Sequence, residues 1–112
     1  MSNIETVSLA SISQESTFRT GLSLAASLYA PTTIFLEGDL GAGKTTFVQG
    51  LGSGLGIHDP IVSPTYAIEN RYGEKLLHMD LYRLDPKESR RLLEESEDFP
   101  GVRAVEWSER IL

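Results

Sequence analysis

The stretch FLEGDLGAGKTTF, residues 35 to 47, carries the reading on which the fold turns. Within it, Gly38-Asp39-Leu40-Gly41-Ala42-Gly43-Lys44-Thr45 fits G-x-x-x-x-G-K-[ST], the pattern of a phosphate-binding loop. Such a loop works because its glycines let successive backbone N–H groups curl around phosphate oxygens. The helix that follows aims its positive end at the same charge. Lys44 then reaches the β- and γ-phosphates, and Thr45 offers its hydroxyl to Mg²⁺. The pattern needs a strand before it and a helix after it. TTIFLEG (32 to 38) is a β-branched and apolar run stopped by glycine, and TTFVQGL (45 to 51) has helical character. A glycine-rich turn with an incidental lysine would need neither flank.

Working outward, 112 residues suffice for one compact core and not two, so residues 1 to 112 read as a single domain. Sixteen acidic residues against ten Lys and Arg give a formal charge of −6, the opposite of what neutralising a nucleic-acid backbone requires. Stable RNA or DNA binding by this chain alone is therefore disfavoured, leaving a local basic patch or a basic partner protein as the route to nucleic acid. With no cysteine, disulfides, thiolate zinc sites and cysteine nucleophiles are excluded. The start MSNIETVSLA has neither the basic residues nor the long apolar stretch of a signal peptide, and no run approaches a membrane span. The expected location is cytoplasmic, with no membrane partner.

ETVSLA (5 to 10) reads as a short strand, and residues 11 to 31 as an amphipathic helix that covers a sheet and ends before Pro31. Ser13 is its N-cap candidate, with Phe18, Leu22, Ala25 and Leu28 as the apolar face. The helix after Lys44 contains Gly50, Gly52 and Gly54, each costing about 1 kcal/mol relative to alanine, so it should be short or fray near Gly54. HDPIVSPT is a loop, and residues 66 to 82 read as a hairpin turning at YGEK. Asp85 and Pro86 open a charged helix, and GVRAVEW supplies the last strand.

A Mg²⁺-nucleotide site also needs a carboxylate at the end of a neighbouring strand. Alternation puts Leu76, His78 and Asp80 on one face, which makes Asp80 either the Walker-B acid or a solvent-facing turn cap. Glu106, after VRAV, should project from the same sheet edge, to serve magnesium or an attacking water, or else to form an ordinary ion pair. His78 is either catalytic or a hydrogen-bonded core histidine, the commoner role. Trp107 either stacks on a base or fills space. The SPTY loop (63 to 66), with Ser63 and Thr65, is a γ-phosphate switch or a plain loop. The charged segment 87 to 98 is a solvated face or a partner surface.

GDLGAGKTTF, SPTY, HMDLYRL and VEW, in that order, resemble the TsaE (YjeE) family of bacterial ATPases, over residues 4 to 112. The resemblance implies an α/β P-loop NTPase-like sheet with flanking helices that binds ATP and Mg²⁺ and hydrolyses ATP slowly by itself. It further implies action with the TsaD and TsaB proteins in threonylcarbamoyladenosine modification of tRNA, resetting that complex between turnovers and meeting tRNA only through it. Carried onto this chain, it implies that Asp39, Leu40, Gly41, Ala42, Gly43, Lys44, Thr45 and Thr46 hold the phosphates. Thr45 and Asp80 would serve magnesium, Glu106 would lie near the metal or the attacking water, and Thr65 would belong to the switch loop. Lys44, Asp80 and Glu106 are then the catalytic set. Family members continue past the EW strand with further strands and a basic tail. The expectation here is a small, C-terminally shortened sheet with weakened independent ATPase activity. RRLLEES also lacks a glycine that members often carry there, which implies a different partner-facing surface.

No arginine finger is evident, the spacing of Arg71 and Arg83 being undiagnostic, so slow turnover accelerated by a partner is expected. The second reading is a binding module in which ATP occupancy rather than hydrolysis controls partner attachment. A small-molecule kinase would need a lid or second substrate domain for which the chain has little room.

Overall fold

The computed structural model describes residues 3–8, 13–38, 43–64 and 67–107. Short apolar runs separated by amphipathic segments favour parallel strands with helices packed on the sheet. The observed order is β1 (Asn3–Ser8), α1 (Gln14–Ala25), β2 (Thr32–Glu37), α2 (Lys44–Gly54), β3 (Glu69–Tyr72), β4 (Leu76–Asp80), α3 (Pro86–Glu95) and β5 (Val102–Glu106). The strands form one sheet in the order β1-β2-β5-β4-β3, parallel except for β3, which pairs antiparallel with β4. This is the α/β architecture expected of a small P-loop NTPase-like protein. The hairpin, the strand before the glycine loop and the strand ending at Glu106 all lie where the sequence put them.

Two apolar layers follow from strand alternation. Ile34, Leu36, Leu76, Val102 and Ala104 face α1 and α2, meeting Ala25, Phe47, Val48 and Leu51. Leu77, Met79 and Val105 face the other way, toward Phe99 and the half-buried Leu92 and Leu93 of α3. β4 and β5 are buried throughout, as central strands covered on both faces should be.

α1 and α2 touch backbone to backbone. A Cβ on Gly21 would lie 2.2 Å from the Phe47 carbonyl oxygen, and one on Gly50 would lie 2.0 Å from that of Phe18. This contact sets the rotation of α1 and corrects the expected apolar face. Thr17, Gly21 and Ala25 are its buried positions, whereas Leu22 is 40% exposed. α1 also stops at Ala25 rather than running to Pro31, and tight turns through Ala26 and Ser27 replace the last stretch. The Ser13 cap is as expected, its hydroxyl accepting from the Ser16 N–H. α2 persists through its glycines because they permit this packing, and it ends at Gly54.

α3 begins with a capping box: the Glu88 N–H donates to Asp85 Oδ1 at 2.8 Å, and the Asp85 N–H to Glu88 Oε1 at 3.4 Å. The other end of the helix is tied to the sheet by Arg103, which donates to Thr33 Oγ1, the Leu93 carbonyl and Ser96 Oγ. Burial pushes the Arg103 guanidinium below its ordinary value, and the Glu97 charge opposes that shift. The Glu88 N–H holds the Asp85 carboxyl below its usual value. A carboxyl depressed in the folded state contributes stability above its unfolded value and loses it as pH falls through the folded one. Asp85→Ala should therefore lower the melting temperature at neutral pH, with the gap to the parent closing as pH drops past the carboxylate range. Melting curves across that range check this, and a gap constant down to the acid end would exclude a charge contribution from the cap.

Candidate functional site

β2, β5 and β4 run parallel, so their carboxyl ends share one edge of the sheet, and α2 starts from that edge after β2. Gly43, the N-cap of α2, has φ 92° and ψ 24°, a left-handed conformation open to glycine at little cost. Gly43 has no side chain to cap the helix, and among the described residues no side chain caps the first-turn N–H groups over Lys44, Thr45 and Thr46. Lys44 is 6% exposed, and its ammonium finds no hydrogen-bond partner among the described residues. The indole of Trp107 lies beneath it, with Nζ 3.7 Å from the ring centroid. A cation over a desolvated indole gains about 2 kcal/mol, less than the several kcal/mol that removing it from water costs. A first-turn lysine also opposes the helix dipole. The position is thus electrostatically incomplete, and an anion at the helix end completes it.

The acids arrive by register. Asp80 and Glu106 are Cα partners at the ends of β4 and β5, and both are 5% exposed. Asp80 Oδ1 accepts from the Tyr82 N–H at 3.0 Å, and the Asp80 N–H donates to the Ile68 carbonyl at 2.8 Å. Glu106 Oε2 is hydrogen-bonded to His78 Nε2, the imidazole fully buried and the carboxylate nearly so. Trp107 follows directly at φ 64°, a strained conformation for a bulky residue and one that turns the chain at the site. Tyr82 packs on the indole at 4.9 Å between centroids. Lys44, Trp107, Tyr82, Asp80, Glu106 and His78 are thereby linked by contact and register at one strand edge.

Asp39, Leu40, Gly41, Ala42 and Thr65 lie outside the described residues. The residues just before the SPTY stretch are anchored: Gln49 Nε2 donates to the Ile61 carbonyl, and the Val62 N–H to Tyr72 Oη. Arg71 lies over the Phe99 ring at 4.9 Å, lining a cavity of about 430 Å³ with Glu69, Glu95 and Asp98. It therefore faces the α3 side rather than the strand ends. Among the described residues no group of three or more His, Asp or Glu side chains forms a metal cluster. Mg²⁺ does not require one, since it commonly takes one or two carboxylates together with phosphates and water.

Sequence reasoning underrated two residues. Trp107 holds the lysine rather than only filling space, and His78 is indeed a hydrogen-bonded core histidine, but its partner is Glu106. The available signal was His78 sharing a face with Asp80, and Ala104, a small residue two positions before Glu106.

Fold and strand-edge geometry define a small α/β protein of the P-loop NTPase-like class. A family model described as "Threonylcarbamoyl adenosine biosynthesis protein TsaE" matches residues 11–112, and the chain belongs to that family. It is 53% identical over 106 residues to a Nostoc protein named tRNA threonylcarbamoyladenosine biosynthesis protein TsaE, covering 88% of this chain and 65% of that one. The Synechocystis protein of the same name is 54% identical over 99 residues, 81% of this chain and 63% of its own. The Bacillus subtilis one is 46% identical over 79 residues, 68% and 50% respectively. The chain thus spans about half to two thirds of the length of these relatives. No helix among the described residues is long and apolar enough to cross a membrane.

Proposed function

We propose that this chain binds ATP with Mg²⁺ and hydrolyses it in support of threonylcarbamoyladenosine modification of tRNA, acting in the cytoplasm with TsaD and TsaB to reset their complex between turnovers. The observation that carries the reading is the buried Lys44 ammonium at the start of α2, without a hydrogen-bond acceptor among the described residues, at the same sheet edge as two carboxylates in register. The family membership and the names of the relatives supply the pathway.

Lys44 and the first-turn N–H groups of α2 would hold the β- and γ-phosphates, with Asp39, Leu40, Gly41, Ala42 and Gly43 forming the cradle and Thr46 adding a donor. Thr45 and Asp80 would hold Mg²⁺, with Glu106 at the metal or the attacking water and Thr65 in the γ-phosphate switch. Mg²⁺ held there would supply positive charge against the charge developing on the phosphates. Gly43, Lys44 and Thr45 position; Glu106 orients water or accepts its proton.

Nucleotide binding by the purified chain, titrated with and without Mg²⁺, tests this directly. Asp80→Asn should weaken Mg²⁺-supported ATP binding by about 10- to 100-fold, in the range seen when metal-supporting groups are removed. Binding measured in a chelator should change little. Hydrolysis should rise when TsaD and TsaB are added. Binding without turnover in either condition would favour a module gated by ATP occupancy, and no binding at all would overturn the nucleotide reading.

A further inference from the structure

We infer that His78 is the positioning residue for Glu106, fixing one carboxylate oxygen so that the other is presented to the metal or the attacking water. The inference rests on the role given to Glu106 above. His78 occupies the middle of β4 and is fully buried, on a sheet face otherwise built from Ile34, Leu36, Leu76, Val102 and Ala104. Apolar residues fill that layer more cheaply, and a buried imidazole there needs a partner. Its Cα partner on β5 is Ala104, and Glu106 lies two residues further along the same face. A diagonal of this kind spans about 7–8 Å between Cα atoms, within reach of long side chains. The single methyl of Ala104 leaves the intervening space for the imidazole.

With Glu106 as a carboxylate, the contact places the proton on Nε2, which then donates to Glu106 Oε2. His78 Nδ1 is buried with no hydrogen-bond partner among the described residues. Asn70, opposite His78 on β3, gives its amide to the Val62 carbonyl instead. The ring is therefore oriented by Glu106 alone among these groups, and Glu106 by the ring. Oε2 is engaged by the ring, and the proposal gives the chemistry to Oε1.

Amide substitutions separate positioning from mere packing. A glutamine Nε2 sits as many bonds beyond Cβ as the histidine Nε2, whereas an asparagine Nδ2 matches Nδ1. His78→Gln should keep Mg²⁺-dependent ATP turnover within about threefold of the parent. His78→Asn should lower kcat by about 10- to 100-fold, the range for groups that orient a metal's ligands, with the KM for ATP little changed. Binding in a chelator should be the same for both. Independently of activity, the His78 ring nitrogens in the nucleotide-free protein should report an Nε2–H tautomer by ¹⁵N NMR, and Glu106→Ala should shift that signal. If the parent binds and hydrolyses ATP while Gln and Asn variants turn over alike, or if the imidazole signal ignores Glu106→Ala, positioning is overturned. If the parent does not bind ATP, the nucleotide reading fails first, and the ring signal still tests the pairing.

Discussion

Lys44→Ala is expected to lower ATP turnover by about 100- to 1,000-fold, the effect of deleting one preorganised charge-stabilising donor from a water-poor site. The same variant, without nucleotide, should melt no lower than the parent. Both halves follow from one geometry. In the nucleotide-free chain the Lys44 ammonium is buried over Trp107 without a hydrogen-bond acceptor among the described residues. It also stands in the first turn of α2, where a positive charge opposes the helix dipole by about 0.3–1 kcal/mol. Alanine removes both penalties and is the best helix former. Against this stand the lost indole contact, about 2 kcal/mol at most, and the space the side chain leaves. These terms nearly cancel, so the stability change is small while the loss of phosphate contact is not. The parent should gain melting temperature on adding ATP and Mg²⁺, and Lys44→Ala should lose that gain. Nucleotide-induced melting shifts and single-turnover hydrolysis, measured on both proteins, check the pair. A variant that keeps the parent's shift and rate would remove Lys44 from the site.

How much of this was legible beforehand depended on whether local sequence carried the cause. The strand before the glycine loop, the β3–β4 hairpin and the capped start of α3 are short-range features, written in TTIFLEG, YGEK and Asp85-Pro86, and they fold where they are read. The register of Asp80 with Glu106 was half legible: alternation gave the faces, and the strand ends gave the shared edge. What alternation cannot give is a diagonal partner, because that depends on which strands become neighbours. The insertion of β5 between β2 and β4 is what brings His78 to Glu106. The lysine–indole contact was hidden for the same reason, since Lys44 and Trp107 stand far apart in sequence and meet only across the sheet edge. The face of α1 was misread because hydrophobicity weighted Leu22. The position that fixed the helix rotation was Gly21, which has no side chain to register on a hydrophobic scale.

Gly50→Ala is expected to lower the melting temperature by about 10 °C and to weaken ATP binding with it. Propensity alone predicts the reverse, since alanine in place of an interior helical glycine gains about 1 kcal/mol. The opposing term is steric: the new methyl would stand 2.0 Å from the Phe18 carbonyl oxygen and 2.8 Å from its carbon. Those are backbone atoms of α1, which cannot rotate aside, so the helices must separate and Phe47, Val48 and Leu51 lose contact with the layer they fill. Overpacking of this kind costs about 1–3 kcal/mol, and the upper end applies where the obstacle is main chain. A net loss of about 2 kcal/mol in a domain near this size corresponds to a fall of about 10 °C. Gly52→Ala is the matched control, because its methyl would meet Ile61 Cδ1 at 2.0 Å, the end of a side chain that can change rotamer. There the propensity gain offsets the repacking, and the melting temperature should stay within a few degrees of the parent. The binding defect of Gly50→Ala follows because α2 carries Lys44 at its start, so pushing the helix from α1 shifts the ammonium relative to Glu106 and Trp107. Melting curves and nucleotide titrations on the two alanine variants decide the matter. Equal stabilities would mean that backbone contact between α1 and α2 does not govern the fold, and a destabilised Gly50→Ala that binds ATP with the parent's affinity would uncouple that packing from the site.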